Sequence, residues 1–164
     1  MVLLYSLLWV FLSVVLQTLL FNHLHLFGGV VLVYLIALIK MPVEVNRNIQ
    51  ILVGFIAGLI IDIFCNTIGL HALTAVTVMW VRMPLLHLYV NAEDVKTGTP
   101  SASLIGMQPY IRYALTILAF HCILLYFLES FTLFHFVATL LKAFLSIVMT
   151  FIVVLSLELA TLEK

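Results

Sequence analysis

Asp62 is a carboxylate set in an apolar run, and its spacing calls for a chemical role. It follows Gly54 and Gly58 at four-residue steps, so the three share one helix face. Two glycines at that spacing let another backbone come close. A carboxylate inside a membrane costs up to about 2.5–3.5 kcal/mol, and less near the interface. It therefore needs a partner: Asn66, Thr67, His71 or the free amides at the start of a following helix. Two chemistries follow. Asp62 caps a tight turn between helices, or it contacts a partner protein, an ion or a substrate. Asn66, Gly69 and His71 join Gly54, Gly58 and Asp62 as the candidate contact residues.

The histidines offer a second chemistry. His23, His25, His71 and His135 fall toward the same end as Asp62, which invites a metal site. However, His23 and His25 are two apart in a turn, and no HExxH pattern is present. Structural or solvated histidines are the expectation, and His121 reads as a buried hydrogen-bonding group. Cys65 and Cys122 lack a CxxC partner and read as small apolar residues. No nucleophile elbow, phosphate loop or paired-carboxylate site occurs, so neither an enzyme nor a cofactor is expected.

Composition decides what can position these residues. The chain of 164 residues is 65% hydrophobic and 9% charged, against about 45–50% and about 25% in soluble domains. So few charges cannot cover a soluble surface, and lipid must be the solvent. Net charge is zero, which gives no pull toward nucleic acid. Crossing the ~30 Å hydrocarbon core takes about 20 residues, so six crossings use about 120. The connections and tails then average about six residues each, and no extramembrane domain fits. The continuous apolar runs exclude the alternation of a β-barrel.

The expected elements are helices over 2–21, 26–41, 49–64, 70–83, 110–128 and 140–159, in one membrane domain spanning 1–164. The start lacks a basic n-region and reads as a retained first helix. Pro84 is expected to break or kink the fourth helix. Residues 131–139 read as an interfacial approach. Residues 91–109 form the one long hydrophilic stretch, a docking loop or a flexible linker. With six helices, one side receives Lys40, Arg47, Arg82, Lys96, Arg112 and Lys164, which the positive-inside bias makes cytoplasmic. Both termini then lie inside. Arg82 and Arg112 read as topology determinants touching headgroups. Lys142 falls at the opposite face, where its stem can snorkel.

The stretch from Asn22 through Gly29 leads to Asn46-Arg47-Asn48, then to Gly54-Phe55, Gly58-Leu59, Asp62, Phe64 and Gly69-Leu70-His71-Ala72. This GFxxGLxxDxFxxxxGLHA-like pattern resembles the MreD family of rod-shape-determining membrane proteins, in its Bacteroidetes-like form. The specific part covers about residues 22 to 82. Cys65 departs from the small polar residue expected there. The resemblance implies a compact all-α bundle of about six transmembrane helices, similar to the S-components of ECF transporters. It implies a non-enzymatic inner-membrane scaffold that binds MreC. Its further partners would be RodA, its penicillin-binding transpeptidase and MreB, in the elongation (rod) complex that builds side-wall peptidoglycan and sets cell shape. The glycine face would then admit MreC's helix or a neighbouring helix of the same chain.

A rival from another class is an S-component-like uptake module for a small molecule such as a vitamin. It needs a polar cavity at the outer face, which His23, His25, Asn66 and His71 could line. A proton path through Asp62, His121 and Lys142 is weaker, because Asp62 and Lys142 lie near the same face.

Overall fold

The computed structural model describes residues 2–20, 25–26, 28–67, 69–130 and 136–162. His23 and His135, the stretch 131–135 and Lys164 lie outside them, as does the side chain of His25. Seven helices and one hairpin are described: α1 (Val2–Leu19), β1 (His25–Leu26), β2 (Gly29–Val30), α2 (Tyr34–Ile39), α3 (Arg47–Cys65), α4 (Leu70–His87), α5 (Ala102–Ile105), α6 (Met107–Ser130) and α7 (Phe136–Leu162). The chain is nearly all helical. Three helices, α3, α6 and α7, are long and apolar enough to cross a membrane. A further apolar helix covers Leu4–Leu19. Packing runs from α1 to α3, α3 to α4, α4 to α6 and α6 to α7.

The segment 26–41 is not the helix its apolar run suggests. Gly28, at φ +84, turns the chain between β1 and β2, which pair antiparallel with His25 opposite Val30. Few residues other than glycine adopt that φ. The β-branched Val30, Val31 and Val33 then favour extended backbone. Only the six residues of α2 are helical, about 9 Å of rise and too short to cross a membrane alone.

The extended part nevertheless runs through the interior along α7. The α7 face that receives it carries Ala143, Ser146, Thr150, Val154 and Glu158, all buried. Gly29 is pressed so close that a Cβ there would lie 3.0 Å from Leu145 Cβ. The Val30 amide donates to Ser146 Oγ at 2.9 Å, and the Leu32 amide to Thr150 Oγ1 at 3.0 Å. From the other side the Val33 amide donates to Gln17 Oε1 at 2.6 Å. Gln17 Nε2 donates back to the Val31 carbonyl at 3.0 Å. Three side chains thus replace the ladder that a helix would have supplied.

Pro84 does not stop α4, which continues to His87. A proline in a helix leaves the carbonyl four residues earlier without its donor. That carbonyl is Trp80 O, and the Arg47 guanidinium donates to it at 2.8 Å. The same guanidinium lies 5.3 Å from the centre of the Trp80 ring, within cation–π range. Helices α6 and α7 start earlier than expected, at Met107 and Phe136.

The hydrophilic stretch 91–109 is not a free linker. It contains α5, and Val95 and Ala102 are buried. Gly98 O accepts from the Val43 amide at 3.0 Å. The Ala102 amide donates to Glu158 Oε1 at 2.6 Å, and Glu158 Oε2 pairs with Lys40 Nζ at 2.6 Å. One buried carboxylate on α7 therefore anchors both the loop and the end of α2.

Replacing Thr150 by Val keeps the shape but orphans the Leu32 amide, a loss of about 1–3 kcal/mol. Thermal unfolding of detergent-purified protein should show a clear drop for Thr150→Val. The exposed Ser156→Ala, whose hydroxyl bonds only its own helix, should stay close to the parent.

Candidate functional site

Helices α3 and α4 meet along the glycine face. A Cβ on Gly54 would lie 2.7 Å from Met79 Cγ, and one on Gly58 would lie 2.5 Å from both Ala72 Cα and His71 O. The second contact is with backbone, so no side-chain rotation relieves it. The close approach that the glycines permit is filled by α4 of the same chain, and both glycines are buried. That face is therefore not open to a partner.

Asp62 completes the seam, 3% exposed. Its Oδ1 accepts from Thr67 Oγ1 at 2.5 Å, the His71 amide at 3.0 Å and His71 Nδ1 at 3.0 Å. Oδ2 accepts from the Ala72 amide at 2.9 Å. A helix begins with unpaired amides and a positive dipole end, and a carboxylate satisfies both. Here the cap comes from the preceding helix, because the N-cap position of α4 is Gly69, which has no side chain. Asn66 ends α3 in the left-handed conformation at φ 55, and its amide donates to Asp62 O. Gly69, at φ +72, turns the chain back. All six candidate residues thus lie on one helix–turn–helix seam, with Asn66 exposed at its tip.

His71 extends the cluster inward. Its ring meets the Tyr34 ring edge-on at 6.4 Å, and Tyr34 packs likewise on His121 at 5.7 Å. Tyr34 Oη lies 2.8 Å from His121 Nε2. His121 is fully buried, as a hydrogen-bonding core histidine should be. Among the described residues no group of three His, Cys, Asp or Glu could hold a metal ion.

A second polar centre lies at the opposite end and overturns the surface reading of Arg82. Its side chain is 0% exposed. Nε donates to Tyr113 Oη at 3.0 Å, and one terminal nitrogen to Gln50 Oε1 at 2.7 Å. The other donates to the Ile39 and Met41 carbonyls. Those carbonyls end α2, so the guanidinium caps a helix C-terminus, where cations are favoured. Gln50 in turn donates to Val45 O at 2.7 Å. Among the described residues no carboxylate pairs with Arg82. Arg112 is exposed, as a headgroup contact would be.

The sequence reading passes over Gln17, Gln50 and Glu158. A signal for Glu158 was present: it continues the four-residue stripe Ser146, Thr150 and Val154 along one face of α7. Near Asp62, a cavity of about 520 Å3 opens between the hairpin, the α3–α4 turn and the facing ends of α6 and α7. A second groove of about 400 Å3, almost wholly apolar, lies between α1 and α3.

No protein-family model matches the chain, and neither a curated protein nor a solved structure matches it.

Gly58→Ala should force α3 and α4 apart and lower the unfolding temperature strongly. Gly54→Ala meets only a flexible Met79 side chain first and should cost less. Asp62→Ala removes an acceptor from four donors and should cost at least the roughly 0.5–2 kcal/mol of an ordinary cap. Melting curves of the three purified variants check the order.

Proposed function

We propose that this protein is an MreD-like membrane scaffold: a non-enzymatic subunit that binds MreC and supports side-wall peptidoglycan synthesis. The observation that carries the reading is the GFxxGLxxDxFxxxxGLHA-like segment, by its resemblance to that family. Its fixed positions also make physical sense together, since Gly54, Gly58, Asp62, Gly69, His71 and Ala72 all meet in one seam.

In this reading the chain makes six crossings, five by helices α1, α3, α4, α6 and α7. The sixth is made by residues 28–41, which follow α7 from the level of Lys142 to that of Glu158. Lys40, Arg47 and Arg112 fall at one end of the helices, so the positive-inside bias makes that end cytoplasmic, in a bacterial inner membrane. RodA, its transpeptidase and MreB would be reached through MreC or beside it.

The seam being occupied, MreC's transmembrane helix needs another berth. The groove between α1 and α3 supplies one, lined by Leu7, Phe11, Val15, Ile56, Ile60 and Phe64. It follows α1 from Leu7 to Leu19, about 18 Å of helix rise. A photo-crosslinking residue at Phe11 should trap MreC in cells, while one at the exposed Phe120 of α6 should not. Absence of a product at Phe11, or equal trapping at both, rejects this berth.

The rival uptake reading draws on the 520 Å3 cavity. Depletion separates the two. Loss of rod shape supports the scaffold, and a growth defect confined to vitamin-poor medium supports uptake.

A further inference from the structure

Lys142 and Glu158 are the two charged side chains of α7. Glu158 is buried and paired with Lys40. Lys142 makes no ion pair among the described residues. Its stem lies against Gly28, where a Cβ would stand 3.4 Å from Cε. Its site is therefore shaped on one side by the β1–β2 turn.

Lys142 lines the 520 Å3 cavity together with Glu129 of α6, which is also unpaired among the described residues. His71 lines it as well. The Asp62 carboxylate only accepts, so His71 Nδ1 carries the hydrogen, and Nε2 is left as the polar atom of the ring for other contacts. Gln17, Thr67 and Tyr126 complete the polar part of the wall, but their polar groups already serve Val33, Asp62 and Ser146. Leu32, Leu70 and Leu125 supply an apolar remainder. The volume lies within the roughly 300–1,000 Å3 of small-molecule sites.

The charges select the class of occupant. An anion alone would pair with Lys142 and meet repulsion from Glu129. An amine alone would do the reverse. A zwitterion pairs with both, and leaves neither charge uncompensated in a partly desolvated site.

We propose that the cavity at the Lys142 end is a binding site for a small zwitterion of the phosphoethanolamine type, with its phosphate on Lys142 and its ammonium on Glu129. The same headgroup occurs free and on a phospholipid. The site stands or falls independently of the scaffold reading, because its assay contains no MreC.

The test uses the full chain purified in detergent, with sn-glycero-3-phosphoethanolamine as the free probe. Nanodiscs of phosphatidylethanolamine, compared with phosphatidylcholine, supply the lipid form. Saturable binding is expected for at least one form, and not for inorganic phosphate or ethanolamine at equal concentration. Lys142→Met and Glu129→Gln should each weaken it tenfold or more. Both side chains are exposed, so the variants should melt as the parent does without probe. Binding of the free probe assigns a soluble ligand, and binding in nanodiscs only assigns a lipid headgroup. No saturable response to either form overturns the proposal. So does a response unchanged in both variants, or equal binding of phosphate alone.

Discussion

Every backbone amide and carbonyl inside a membrane protein must find a partner within the protein, and at residues 30–33 the chain gives up the helix that would supply them. Much of the arrangement depends on how that debt is met. Gln17 of α1 and Ser146 and Thr150 of α7 lie on either side of the extended strip and bond to it. These bonds fix the rotation of both helices about their axes. At the far end of the same segment, the last carbonyls of α2 fall to Arg82. A polar framework thus runs through the core beside the apolar contacts of Leu35, Leu38, Ile117 and Leu118.

The α3–α4 seam works by the opposite principle, close apolar and backbone contact closed off by one carboxylate. Gly58 sets the distance, Gly69 and Asn66 the turn, and Asp62 the end of α4. A sequence pattern that looks like a recognition surface is here consumed in forming the hairpin. Surfaces for a partner must then lie on the lipid-facing sides. These are rich in Leu, Phe and Val, such as Phe11, Ile56 and Phe144.

The seam was legible because its signals are local. Glycines at four-residue steps, a carboxylate one step on and a glycine before the next helix all act within about 20 residues of one another. Helices α1, α3, α6 and α7 were legible for the same reason, as long apolar runs. The segment 26–41 was not, because a fully buried strand and a buried helix are equally apolar and periodicity cannot separate them. Its real determinants, Ser146 and Thr150, lie over 110 residues away. Pro84 misled for a similar reason, since Arg47, which takes over the orphaned carbonyl, sits 33 residues from Trp80. Arg82 near a span end fits a snorkelling cation and a buried cap equally well until its neighbours are known. Glu158 was overlooked because its partners, Lys40 and Ala102, come from two separate loops.

The dependence of residues 30–33 on α7 has a consequence for synthesis. The extended strip is made early, yet the hydroxyls that satisfy its amides are the last membrane-facing part of the chain to be made. Until Ser146 and Thr150 arrive, those amides have no partner in the folded arrangement. The second segment must therefore wait at the translocon, at the interface or in a provisional helix. Final topology is then set after translation has passed α7, and α7 acts as the clasp that closes the bundle.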